Sequence, residues 1–293
     1  MTAAPLFLMV RPTHYEVAYE INPWMKPSVW SAGAAANHLA AERAWRALRA
    51  ALEASGATVQ TMAGVVGVPD LVFPANAAVI LNRKALLAKF RRPQRTLEEP
   101  HYLAALERLR EAGVLDEVVR VEDGFQEGTG DCLWDAARRL FWVASGPRST
   151  PNSVDMIARV FGQEVVHMPL ASERYYHLDT CFCPLSGGEI LYYPPALTEK
   201  ALTALFDRTC PDQRLEASDE DAEAFCVNAV GMGRELIMAR PPARLTARLV
   251  ERGYGVKAVD LEPFMLSGGG AFCMTLRLDL ATTPATVRQP AAA

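Results

Sequence analysis

Short apolar runs alternate with helical stretches along almost the whole chain, which constrains the fold more than any single motif. The runs at 6–10, 77–81, 141–144, 189–193, 225–230 and 274–280 have strand length, and 256–261 adds another. Between them, 34–55, 100–112, 153–161, 195–206 and 241–252 have helical composition. The first of these carries Leu39, Trp45, Leu48 and Leu52 among many alanines and stops at Gly56. Strands interleaved with helices define the α/β class. No linker rich in Pro, Gly or Ser divides the chain, so residues 1–281 are expected to form a single domain. Residues 282–293, Thr, Pro and Ala with few bulky side chains, read as a disordered tail.

Half of the 293 residues are hydrophobic and 22% are charged, enough for a substantial core. A net charge of -4 argues against nucleic acid as a partner, since phosphate binding needs clustered Lys and Arg. The densest basic stretch, Arg91-Arg92-Pro93-Gln94-Arg95, is short and runs into Glu98-Glu99. No stretch approaches the roughly eighteen apolar residues of a membrane span, and 6–10 is too short for a signal-peptide core. The expectation is therefore a cytoplasmic protein with no membrane partner, its six cysteines present as thiols.

Four segments hold residues able to do chemistry. Ser267-Gly268-Gly269-Gly270-Ala271-Phe272-Cys273 brings three glycines up to a cysteine, and in the alternating sequence behind it Cys273 falls on the polar phase of a strand. It reads either as an accessible nucleophile or as a small buried hydrophobe. In His177-Leu178-Asp179-Thr180-Cys181-Phe182-Cys183 an extended strand would put His177, Asp179 and Cys181 on one face. That face is an acid–base pair beside a cavity, an exposed edge, or a metal site from His177, Cys181 and Cys183. Glu127-Gly128-Thr129-Gly130-Asp131 is either an ordinary acidic turn or a carboxylate pair aimed at a cation. It lacks the third glycine of a nucleotide fingerprint. Asn76 opens the apolar run at 77–81. His14, His38, His101 and His167 read as structural.

Taken in order, the loop to Asn76, the Glu127–Asp131 turn, His177-Leu178-Asp179 and the glycine run to Cys273 resemble the guanidino-group modifying enzymes. That superfamily comprises arginine deiminases, dimethylarginine hydrolases and amidinotransferases. The resemblance covers nearly the whole chain and implies a five-bladed α/β propeller (a pentein) with pseudo-fivefold symmetry and a site on its axis. It implies Cys273 as nucleophile, His177 as acid–base group, and Glu127 and Asp179 holding the guanidinium with help from Asp131. No metal and no organic cofactor is called for. The partner is a small guanidino substrate, arginine or methylated arginine, and the chain is open to homo-oligomer formation.

The carboxylate two residues after His177, Asn76 where deiminases usually carry aspartate, and Tyr19-Glu20-Ile21-Asn22-Pro23-Trp24-Met25 make the chain look most like the arginine dihydrolases. Those enzymes take arginine to ornithine, ammonia and carbon dioxide. By the same resemblance Asn22 lies near the substrate, and Arg95, with Arg92 as competitor, binds its α-carboxylate. The alternatives are a dimethylarginine hydrolase, an arginine deiminase, an amidinotransferase and a silent binder of guanidino compounds.

Overall fold

A computed structural model describes residues 4–283. Its strands form five separate three-stranded sheets. In the second, Ala78–Leu81 pairs antiparallel with Lys84–Leu87, and the helix Glu99–Glu111 then crosses over to Glu117–Arg120, which pairs parallel. The third repeats this with Cys132–Asp135, Leu140–Ser145, the helix Ser153–Phe161 and Glu164–Pro169. Phe182–Pro184, Ile190–Tyr192, the helix Glu199–Phe206 and Arg214–Glu216 make the fourth. Val230–Met232, Glu235–Ala239, the helix Ala243–Glu251 and Gly255–Val259 make the fifth.

The first sheet is assembled from both ends of the chain. Leu6–Val10 leads through the helix Ala34–Ala54 to the parallel Thr58–Met62, while its antiparallel neighbour is the C-terminal Leu276–Arg277. This pairing closes the ring. The repeat is about fifty residues long, structural rather than visible as sequence identity.

Each face of a sheet packs on a neighbour, which explains why the strands read as unbroken apolar runs. In Ala78–Leu81, Ala78 and Ile80 join Leu8, Val10 and Leu276 of the first sheet in one core cluster. Val79 and Leu81, pointing the other way, join Phe141 and Val143 of the third. Corresponding clusters lie between the third and fourth, fourth and fifth, and fifth and first sheets. The expected α/β propeller is therefore the observed architecture. Its axis is marked by a cavity of about 180 Å³ reached by Cys132, Cys183, Gly231 and Arg277, from four different sheets.

Local rules account for the helix boundaries. Ala34–Ala54 buries Ala41, Ala44, Trp45, Leu48 and Leu52 at helical spacing and ends before Gly56, whose φ is +89°. Leu39, expected on that stripe, is exposed. Three segments read as strands are shorter or displaced. Residues 225–229 form a turn ahead of Val230–Met232, only Leu276–Arg277 of 274–280 is paired, and 178–180 is a 3-10 turn before Phe182–Pro184. Thr282 still hydrogen-bonds the Asn82 side chain, at 2.9 Å. Residues 284–293, most of the expected tail, lie outside the described residues. Among the described residues no helix is long and apolar enough to cross a membrane.

Candidate active site

The displaced segments share one cause. In each sheet the chain enters one strand through a tight turn at the axis, and the residues of the five turns point at one another. Asn76 comes from the turn before the second sheet, Glu127 and Asp131 from that before the third, and His177 and Asp179 from that before the fourth. Asn228 precedes the fifth and Cys273 precedes the returning strand of the first. All of these side chains are buried.

His177 and Asp179 do not share a strand face, because the turn at 178–180 sends them apart. His177 Nε2 lies 2.8 Å from Glu127 Oε2, and its Nδ1 lies 3.5 Å from Asn76 Nδ2. An ionised carboxylate accepts and an amide nitrogen donates, so the network assigns the proton to Nε2 and leaves Nδ1 as the acceptor. Asp179 turns the other way, and its Oδ2 accepts the Cys273 thiol at 3.1 Å. Cys181 faces the Leu178 carbonyl and Cys183 the Ala229 carbonyl. Cys181 also meets the His177 carbonyl at 3.9 Å, but neither thiol bonds the His177 ring, and the arrangement for a metal site from these three is not formed.

Cys273 is not on the exposed phase of a strand. It sits in the turn before Leu276–Arg277 and is 3% exposed. Its Sγ receives Asn228 Nδ2 at 3.1 Å, and its backbone N–H donates to Asn228 Oδ1, also at 3.1 Å. A Cβ on Gly270 would lie 2.7 Å from Asn228 Oδ1, so the missing side chain makes room for that amide. Gly128 serves similarly, where a Cβ would come within 2.8 Å of the Asn76 backbone.

The carboxylates divide by what they touch. Glu127 Oε1 accepts the Arg91 N–H, and Oε2 takes both His177 and the Arg148 guanidinium at 3.2 Å. It therefore orients the histidine, rather than lying open to a guanidinium as expected. Burial alone would push Glu127 up, but Arg148 and His177 outweigh it and hold the group below the ordinary carboxylate range. Asp131 accepts Ser149 Oγ at 2.6 Å and the Leu178 N–H at 3.1 Å, which ties down the turn carrying His177. Burial pushes it up to about 6. Asp179 alone of the three keeps an oxygen, Oδ1, with no hydrogen-bond partner. Burial pushes it up to about 7, and burial together with the nearby Asp179 raises the Cys273 thiol well above its usual value. The thiol is thus protonated at neutral pH in this structure.

Arg95 reaches the site but is occupied. It is paired with Glu98 through bonds of 2.6 and 2.8 Å and donates to Asn76 Oδ1 at 2.8 Å. Asn76 Nδ2 in turn donates to the Glu127 carbonyl at 3.2 Å. Arg92 is half-buried at the edge of a cleft with Arg91, Gly146 and Ser172, and its Nε has no partner. Asn22 uses both ends of its amide on the protein, at the Ser267 carbonyl and the Trp24 N–H. Asn228 and Arg148 carry no local sequence signal. Arg148 is fully buried, lies over the Tyr176 ring at 4.5 Å, and follows the second strand of its sheet as Arg91–Arg95 follows the second strand of the sheet before.

A buried thiol, an imidazole backed by a carboxylate and a second carboxylate with a free oxygen, all on the axis of an α/β propeller, define the class of guanidino-group modifying enzymes. Residues 19–280 match the family described as N,N dimethylarginine dimethylhydrolase, eukaryotic, and the chain belongs to that family. It is 38% identical over 271 residues to the bifunctional arginine dihydrolase/ornithine cyclodeaminase ArgZ of Synechocystis sp., a match covering 92% of this chain and 37% of that one. The chain thus spans a little over a third of that relative's length. It is 32% identical over 275 residues to the N(G),N(G)-dimethylarginine dimethylaminohydrolase of Mycobacterium tuberculosis, covering 93% of this chain and 85% of the other. Among solved structures, the N-terminal domain of ArgZ as a cysteine-to-serine mutant bound to substrate superposes with a TM-score of 0.88. It is 36% identical, over 95% of this chain and 100% of that one.

Proposed function

We propose that this chain hydrolyses the guanidino group of L-arginine in two rounds, yielding ornithine, two ammonia and carbon dioxide. The observation that carries the reading is the pairing of Cys273 with Asp179, whose Oδ1 has no partner, opposite His177 held by Glu127. A guanidinium is planar, permanently charged and a poor electrophile, so a carboxylate must hold it while the nucleophile attacks. Asp179 Oδ1 is free to accept its N–H groups. The incoming cation also supplies what the thiol lacks, a positive charge that favours loss of the Cys273 proton. Among the described residues no hydrogen bond joins His177 to Cys273, which supports the substrate rather than His177 as the agent that forms the thiolate.

The proton displaced from Cys273 is taken up at the unprotonated Nδ1 of His177; the thiolate adds to the guanidinium carbon, and ammonia leaves with that proton. His177 then takes a proton from water as its oxygen adds to the amidino–cysteine adduct. The carbon–sulfur bond breaks, releasing citrulline and the thiolate. In the second round citrulline is cleaved with another water. Overall, arginine and two waters give ornithine, two ammonia and carbon dioxide. The α-carboxylate is assigned to a guanidinium beside the axial turns, Arg95 by its contact with Asn76, with Arg92 and Arg148 as its competitors.

Similarity to the arginine dihydrolases and Asn76 at the site favour two rounds. The match to the dimethylarginine family keeps a second reading, citrulline and dimethylamine from methylated arginine. Incubation with arginine, methylated arginine and guanidinoacetate, followed by product identification, separates them. Ornithine with two ammonia per arginine is expected. Citrulline as the end product, or dimethylamine, overturns the two-round reading.

A further inference from the structure

Four of the five axial turns contribute residues whose chemistry is accounted for above; the fifth contributes Asn228. It is completely buried and spends every polar atom of its amide on the reacting region. Its Oδ1 accepts the Cys273 backbone N–H at 3.1 Å, and its Nδ2 donates to the Asp179 carbonyl at 3.0 Å and to Cys273 Sγ at 3.1 Å. The orientation of the amide is not arbitrary. A backbone N–H can only donate, so the oxygen must face it. The NH2 group then falls between two acceptors, a carbonyl and sulfur.

We propose that Asn228 is a catalytic residue that stabilises the Cys273 thiolate and aims its sulfur. The proposal rests on the reading of Cys273 as nucleophile and extends it to a residue in direct contact with the attacking atom. Three features support it. First, the N–H···S contact becomes charge-assisted when the thiol ionises, so the same bond is stronger in the reactive state than in the resting one. Second, the groups around Sγ divide the work. Asp179 Oδ2 accepts the S–H and favours the protonated form, whereas Asn228 offers a donor and no charge. Third, the chain pays a conformational cost to bring Asn228 here. Phe225, a non-glycine residue, opens the turn with φ at +56°, and Gly270 must lack a Cβ to admit the amide.

The test follows the rate of iodoacetamide alkylation at Cys273 as a function of pH, read by mass spectrometry of the Cys273 peptide so that exposed Cys210 does not interfere. Asn228→Ala and Asn228→Asp are compared with the wild-type protein, with thermal unfolding as the check on folding. Both variants are expected to move the alkylation midpoint upward by about one pH unit or more, Asp further than Ala because it adds a negative charge. With substrate, kcat is expected to fall about 100-fold, the scale for removing one donor aimed at developing negative charge, with KM changed much less. Asn228→Ser, which keeps a small donor, is expected to recover part of both effects and covers the case in which the other two do not fold. A folded variant with the wild-type alkylation profile and kcat overturns the proposal. The alkylation arm uses no substrate, so it stands apart from the question of which guanidino compound is hydrolysed. Failure of the arginine reading would show instead as wild-type protein that alkylates normally but turns over no arginine.

Discussion

Asn76 is the residue on which the number of hydrolytic rounds turns. Its amide donates to the Glu127 carbonyl and faces His177 Nδ1 with the same nitrogen, while its oxygen accepts from Arg95. A carboxylate could keep only the last of these. It would set an oxygen against the Glu127 carbonyl and would repel the oxygen of a neutral ureido group, which an amide can bind as readily as a guanidinium. Asn76→Asp is therefore expected to consume arginine within about tenfold of the wild-type rate but to release citrulline. The lost hydrogen bond costs about 1–3 kcal/mol of stability. Product analysis over time checks it; an unchanged ornithine yield removes Asn76 from the explanation. At the same scale, the residues most legible in the sequence were those with reactive side chains, Cys273, His177 and Asp179. What each touches was not legible, and Glu127 was assigned to the substrate when its oxygens are spent on Arg91, His177 and Arg148.

Elements show the same division. Helices were read closely, as at Ser153–Phe161, because capping and apolar spacing are local. Long central strands such as Leu140–Ser145 were visible as apolar runs. Strands entering from the axial turns were misread as longer than they are, since an apolar turn buried between two sheets has the composition of a strand. The shortest, Leu276–Arg277, matters most because it joins the two ends of the chain. Leu276 is completely buried in the cluster between the first and second sheets. Leu276→Ala is expected to destabilise the protein by about 3 kcal/mol through lost burial and the cavity left behind. Activity should fall with it, because Cys273 lies three residues before. Denaturant unfolding measures the first effect, and a change under about 1 kcal/mol would mean that the closing strand is dispensable.

For the whole molecule, the gathering of carboxylates on a dry axis couples stability to pH. Asp179 is raised to about 7 and Asp131 to about 6, from an ordinary value near 4. A raised carboxyl contributes stability that is fully present below its unfolded value and lost as pH climbs through its folded value. These two groups therefore weaken the unliganded protein as pH rises from about 4 to about 7. Glu127 has the opposite sign: its contribution is present above the ordinary carboxylate range and is lost as pH falls through and below that range. Asp179→Asn is expected to be more heat-stable than wild type at pH 8, with the gap closing towards pH 5, while hydrolysis is lost. Thermal unfolding across that range checks it; a gap independent of pH would mean that the Asp179 charge is not the cause. Bound guanidinium compounds should likewise stabilise the wild type more at pH 8 than at pH 5, the two positive and negative charges offsetting each other.

The sequence by itself determined the α/β alternation, the helices, and which side chains are chemically able to attack, transfer protons and hold a cation. Those depend on side-chain type and on spacing within a few residues. The tertiary structure alone decided which of them meet. Residues contributed by five turns about fifty positions apart touch only because the sheets close a ring, and nothing local records that closure. Asn228 is the plainest case: an ordinary asparagine in the sequence, it lies 3.1 Å from the sulfur because the fifth and first sheets are neighbours.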